Sequence, residues 1–244
     1  MTTARTTGGT ALPRRHEPAP TPGRTAVRAF GEILITLGLV VLLFVAYQLF
    51  YSNVEAGRAQ TRVTAALEER WASPESPLKE IPLGDGFALI RIPRLGSDWV
   101  KPIVEGVGPK DLATGIGHYP RTALPGKVGN FSLAGHRATH GEPFRNLDRM
   151  RKGDAIVIET KDTWHVYRVD RSEVVLPTQV AVLEPVPNRP GVKPTERLVT
   201  LTTCNPRWAS YQRLIVYGHL AGTQDKSAGI PDVLKTSSPH APSR

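Results

Sequence analysis

The stretch RLVTLTTCNPRWASYQRLIVYGHL, residues 197–220, carries the single cysteine of the chain, Cys204, at the end of a short β-rich run. Val199 and Leu201 alternate with threonines, the period-2 pattern of a half-buried strand. Asn205-Pro206 breaks the run, because proline has no N–H to give a ladder and restrains the residue before it. Nine residues past the cysteine, Arg213 opens a second β-rich segment, Leu214 to Tyr217. Strand, turn and strand thus place a thiol and a guanidinium at neighbouring strand ends.

Working outward, 244 residues give room for one principal domain plus flanking segments. Forty per cent apolar residues suffice for a core, and 22 prolines point to long ordered loops. The net charge of +9 raises the question of nucleic acid. The basic residues are scattered, however, without a Lys/Arg-rich run or a nucleic-acid motif, so no nucleic-acid partner is expected. A solvated basic surface facing an anionic surface such as a membrane is expected instead. One cysteine excludes a disulfide within the chain and flags a reactive thiol.

Residues 1–32 read as a disordered basic arm, with Pro13, Pro18, Pro20 and Pro22 opposing a helix. Ile33 to Tyr51 is a 19-residue run whose polar members are Thr36 and Gln48. A helix of that length reaches roughly 28 Å, close to the hydrocarbon thickness of a bilayer. Aromatic Tyr47, Phe50 and Tyr51 at its end suit the interface, and the arginines before it orient the N-terminus to the cytoplasm. The expectation is a single-pass anchor with the rest of the chain outside the cell. Residues 52–80 read as an extracellular stem, helical from Val54 to Trp71, that holds the domain off the bilayer.

From Gly84 the texture becomes β. Strands are expected at Phe87 to Ile92, Val100 to Val104 and Phe131 to Ala134, with a helical turn at Lys110 to Gly115. A hairpin is expected from Ala155 to Glu159 and Thr163 to Asp170, and a further strand at Glu173 to Leu176. Pro143 to Met150 reads as a short helix, residues 177–196 as a long loop walling a substrate groove, and residues 222–244 as a disordered polar tail. Short strands with few helices make the fold all-β with minor helices, a closed or nearly closed barrel.

Thr200-Leu201-Thr202-Thr203-Cys204 followed by Arg213, together with LAGHR at 133–137, resembles the sortase signature of a TLxTC strand, a downstream arginine and an upstream histidine, here His136. The resemblance runs from about Phe87 to Leu220, through IRIPRLG, GHYPRTALPG, GNFSLAGHR and GEPFRNLDRMRKGD in that order. GHYPRTALPG and TLTTCNP are most similar to class E sortases of actinobacteria. The resemblance implies an eight-stranded β-barrel over residues 81–221 and a cysteine transpeptidase. It also implies a secreted protein with a C-terminal Leu-Ala-X-Thr-Gly or Leu-Pro-X-Thr-Gly sorting signal as donor, and a peptidoglycan or lipid-linked precursor amine as acceptor. In class E a tyrosine before the histidine strand contributes to signal preference, and Tyr119 matches it. Thr203, beside the cysteine, either lines the groove or bridges strands.

The chemistry fits the residue types. A thiolate attacks a peptide carbonyl, the amine leaves, and a thioester stores the acyl group for a second amine. Nearby cations lower a thiol's pKa, and Arg213 and His136 are the candidates. Imidazole titrates near working pH, so His136 suits proton transfer to and from the amines. Arg213 cannot act as a base, and its fork suits substrate carbonyls or an oxyanion. Among the other histidines, His16 and His240 lie in tails, His118 and His140 in loops near the cleft, and His165 and His219 in strand patterns. Arg137 and Arg207 default to surface charge, and Trp164 and Trp208 to packing.

No cofactor is expected. There is no zinc-spaced His/Cys cluster and no Asp-rich calcium loop, although calcium held by scattered acids, as in some sortases, stays open. A pilin-polymerising sortase is the near alternative, but residues 52–86 lack an Asp-Pro-aromatic lid. A non-catalytic, membrane-tethered wall-binding module is the distant one, and it leaves His136, Cys204 and Arg213 without a use.

Overall fold

The computed structural model describes residues 22–47, 51–73 and 81–235. Residues up to Ala46 form one unit and those from Tyr47 another. In the first, helix α1 (Pro22–Ala46) is long and apolar enough to cross a membrane, and none of its residues is buried. It begins eleven residues before Ile33, so residues 22–32 of the expected arm are helical. Pro22 does not oppose this helix, because in the first turn a missing N–H has no partner to lose. The remaining arm, with Gln48 and Phe50 of the expected span, lies outside the described residues.

In the second unit, helix α2 (Ser52–Ala72) is no free-standing spacer. Ala56 and Leu67 are buried, as is the polar Gln60 between them, on the stripe that spacings of four and seven bring to one helix face. That face packs on the barrel. Near its end, Arg70 donates to Gly86 O at 3.3 Å, and Lys226 Nζ sits 4.5 Å over the Trp71 ring. Residues 74–80 of the expected stem lie outside the described residues.

Eight strands close the barrel. They are β1 (Gly86–Arg91), β2 (Val100–Glu105), β3 (Ile116–His118), β4 (Gly129–Ala134), β5 (Ala155–Glu159), β6 (Thr163–Val175), β7 (Arg197–Asn205) and β8 (Gln212–Asp225). Their order around the barrel is β1-β2-β3-β4-β7-β8-β6-β5, with β5 returning to β1. Pairings β2–β3 and β4–β7 are parallel, and the rest are antiparallel. A short helix, α3 (Pro109–Thr114), fills the β2–β3 crossover. Ile90, Ile103, Phe131, Leu133, Leu201 and Val216 point inward and are buried in one core.

Four expected elements come out differently. Residues 143–150 make one 3-10 turn, Leu147–Arg149, rather than an α-helix. Phe144, Leu147 and Met150 are buried at a spacing of three, which the three-residue 3-10 repeat keeps in line, whereas an α-helix would spread them over about 120°. Glu173 to Leu176 is no separate strand, since β6 runs through to Val175 across an irregularity between Val169 and Arg171. The polar tail does not begin at residue 222. Gly222 to Asp225 pair with Val166 to Thr163, and in helix α4 (Asp232–Lys235) Val233 and Leu234 pack against buried Ala155, Val157 and Trp164. Lastly, the 177–196 loop contains a 3-10 turn, Val180–Leu183.

Candidate active site

Alternation along β7 decides which residues share a surface. Val199 and Leu201 belong to the core, so Thr200, Thr202 and Cys204 face outward. On β8, Leu214 and Val216 point in, so Arg213, Ile215 and Tyr217 face outward. Cys204 pairs directly with Arg213. On β4, Phe131 and Leu133 point in, and the parallel register sets Ala134 beside Thr202.

That register continues past the end of β4. Gly135 N donates to Thr202 O at 3.1 Å, and Thr203 Oγ1 donates to Gly135 O at 2.7 Å. A Cβ on Gly135 would lie 2.6 Å from the Phe144 ring, so glycine is needed there. His136 follows, outward and alongside Cys204. With strands about 4.8 Å apart, the three backbone positions lie within roughly 10 Å. The structure thus brings His136, Cys204 and Arg213 to one end of one barrel face.

The electrostatics differ at each position. Cys204 is free and half-buried. Burial first, and the neighbouring His140 second, hold the His136 pKa below its ordinary value of 6.5. The Arg213 guanidinium is aimed by Nη1, which donates to Ser210 O at 2.7 Å and Gln212 O at 2.9 Å. Its other N–H groups belong to the same rigid fork.

Tyr119 lies on this same face. Its N–H donates to Ser132 O at 3.0 Å, and its hydroxyl is 3.3 Å from Thr202 Oγ1, one outward position before Cys204. Thr203 is the exception. It is 3% exposed, it points away from Cys204, and its hydroxyl is spent on Gly135 O. It bridges strands, because period-2 alternation puts the residue before Cys204 on the other side of the sheet. The 177–196 loop does share the outer face. Val182 and Leu183 cover Ile215 and Tyr217, and Asn130 Nδ2 ties the loop down through Val182 O at 3.1 Å and Glu184 O at 3.0 Å.

Arg137 was expected at the surface and is 5% exposed instead. Its Nη1 donates to Cys204 O at 3.3 Å and Asn205 Oδ1 at 2.6 Å, and Nη2 pairs with Asp148 at 3.1 Å. Only its adjacency to His136 hinted at this. Arg207 Nη2 donates to Arg145 O and Asn146 Oδ1, each at 3.1 Å, pinning the β7–β8 turn. Trp164 packs as expected, whereas Trp208 is 69% exposed in that turn. His118 is not in a loop. It ends β3, buried, with Nδ1 donating to Glu105 Oε2 at 2.6 Å and Nε2 2.8 Å from Thr122 Oγ1. It anchors the loop that carries Tyr119.

A cleft of about 510 Å³ beside Arg197 and His219 lies at the start of β7, away from Cys204 at its end. Among the described residues, no group of three or more His, Cys, Asp or Glu side chains is placed to hold a metal ion.

The closed eight-stranded barrel has counterparts among known proteins. The sortase domain family matches residues 90–221. The chain belongs to the sortase family. It is 43% identical over 231 residues to Sortase SrtE1 of Streptomyces coelicolor, a match covering 91% of this chain and 65% of that protein. The chain therefore spans just under two thirds of that relative. Sortase SrtE2 of the same organism is 37% identical over 222 residues, covering 83% of this chain and 86% of the relative. The solved sortase E of Streptomyces avermitilis superposes with a TM-score of 0.58 at 44% identity, covering 63% of this chain and 99% of that one. These relatives set the chain in class E.

Proposed function

We propose that the chain is a membrane-anchored class E sortase that cleaves a sorting signal between Thr and Gly and transfers the Thr carbonyl to a cell-wall amine. The observation that carries this reading is the register that sets His136, Cys204 and Arg213 side by side on the outer face. In the first step the Cys204 thiolate bonds to the Thr carbonyl carbon, and charge moves onto the carbonyl oxygen within reach of Arg213. Collapse breaks the C–N bond, and His136 gives its proton to the departing glycine amine. In the second step an acceptor amine attacks the thioester, His136 takes a proton from it, and the thiolate leaves.

Desolvation raises the cost of charge on His136, which makes the imidazolium a better acid when it forms. Tyr119 beside Thr202 suits the signal residue that distinguishes Leu-Ala-X-Thr-Gly from Leu-Pro-X-Thr-Gly, with Leu-Ala preferred, and the 177–196 loop suits a groove wall. The donor is a secreted protein with a C-terminal signal, and the acceptor a peptidoglycan or lipid-linked precursor amine. Helix α1 is read as the anchor, with the arginine-rich N-terminus cytoplasmic and the barrel outside.

The test is the full chain in detergent with a Leu-Ala-X-Thr-Gly peptide, a Leu-Pro-X-Thr-Gly peptide and a small amine, followed by mass spectrometry. An amine-capped Thr product that requires Cys204 supports transpeptidation, and the peptide ratio reports the preference. Folded protein yielding neither product nor thioester would overturn the reading.

A further inference from the structure

Helix α2 meets the active site through one turn. His140, Gly141 and Glu142 have consecutive left-handed backbones, with φ of +53°, +76° and +46°. Glycine takes such angles freely, whereas histidine and glutamate do so only where their surroundings hold them. What holds this turn is α2. Asn53 Oδ1 accepts the Gly141 N–H at 3.0 Å, and Asn53 Nδ2 donates to Glu142 Oε1 at 3.3 Å. Buried Gln60 accepts from Lys101 Nζ at 2.9 Å, and its Nε2 makes a long contact of 3.5 Å with His140 O. A Cβ on Gly141 would come 2.9 Å from Gln60 Nε2, so helix and turn are in close contact.

The turn delivers a ring. His140 stacks on His136 with centroids 4.7 Å apart and 23° between planes, and its Nδ1 lies 3.0 Å from Thr139 Oγ1. We propose that His140 is a positioning residue for His136, and that α2 belongs to the active site because it holds His140 in that stack. The inference rests on the reading of His136 as the acid and base of the proposed reaction. A stacked ring fixes the plane of the His136 imidazole and therefore the direction of the N–H that must meet a leaving amine.

The stack also couples the two rings electrostatically, because a proton on His140 disfavours one on His136. The charged and titratable groups around the stack are Tyr47, Tyr51 and Glu55, which line one cleft with His140; Glu142 and Arg145 on the turn; Lys101 on β2; and Arg137 and Cys204 beside His136. Glu142 is occupied by Arg145 and Asn53, Glu55 by Arg62, and Arg137 by Asp148.

Three variants of the full chain in detergent test this: His140→Phe, Asn53→Ala and the pair together. Two quantities are read, the titration of the His136 ring by NMR on labelled histidine, and kcat and KM separately. His140→Phe keeps a flat ring but removes its proton, and it should raise the His136 midpoint. Asn53→Ala should move the midpoint the same way and lower kcat on the order of tenfold while leaving KM within about twofold, as for a misplaced catalytic group. The pair should behave like His140→Phe alone in the titration, because the tether acts through His140. Circular dichroism checks folding, and Gln60→Met probes the same turn should Asn53→Ala not fold. A folded Asn53→Ala with wild-type midpoint and kcat overturns the proposal, as do independent, additive effects in the pair. The ring titration needs no turnover. A wild type that forms no amine-capped product would therefore sink the transpeptidase reading while the coupling is still judged on the midpoint.

Discussion

The two faces of β7 do different work from adjacent residues. Inward, Val199, Leu201 and Thr203 are buried, the first two in the core and the third bonded to Gly135. Outward, Cys204 is half-buried beside Arg213. One strand thus serves as wall and as workbench, and a shift of one residue exchanges the roles. The lesson is that sequence nearness to Cys204 is a poor guide to sharing its surface, whereas parity along the strand is a good one.

The sharpest break in that comparison is Cys204→Ala, which should abolish turnover and leave the melting temperature unchanged, as peptide assays and calorimetry will show. His136→Ala and Arg213→Ala should each reduce kcat/KM by about a hundredfold or more with the fold intact, the usual scale for losing an acid–base group or an oxyanion donor. Across the sheet the expectation inverts. Leu201→Ala should cost about 2–5 kcal/mol in denaturant unfolding, while the folded fraction keeps its turnover. Thr203→Val should cost about 1–3 kcal/mol by leaving Gly135 O unsatisfied. A change confined to KM, without lost stability, would instead restore Thr203 to the substrate groove.

The smallest effect belongs to His165 on β6. Burial first, and Lys127 second, hold its folded pKa below 6.5. As pH falls through 6.5 the unfolded chain takes the proton first, so stability is lost on acidification and regained as pH rises. His165→Asn should flatten the melting curve's dependence on pH in that window by a degree or two, roughly, without altering kcat at neutral pH.

Much of this was legible in sequence because β7 alternates Val199 and Leu201 with threonines, because β5 and β8 carry the short apolar runs AIVI and LIVY, and because LAGHR and TLTTC fix the ends of β4 and β7. What escaped has physical reasons. Gly222, Thr223 and Gln224 pair through backbone alone, so their polar side chains leave no periodic mark. Phe144, Leu147 and Met150 lie at a spacing of three, which a helical reading absorbs without protest. Arg137 and His118 are buried through partners far along the chain, Asn205 and Glu105, and a charge in a local window reads as surface. Helix α2 has a narrow apolar stripe, Ala56 and Leu67 with Gln60 between, which looks like a solvated spacer until the turn it holds is in view.

The parallel β4–β7 pairing has a consequence for when the surroundings of Cys204 are assembled. Leu133 meets Leu201 across 68 residues of chain, and β8 must insert between β7 and β6 to close the barrel. Contacts so distant form late, after local hairpins such as β5–β6. Until they do, Cys204 has neither the imidazole nor the guanidinium at its side. The surroundings of Cys204 are therefore complete only once β8 lies between β7 and β6, and a partly folded chain presents the thiol without either neighbour.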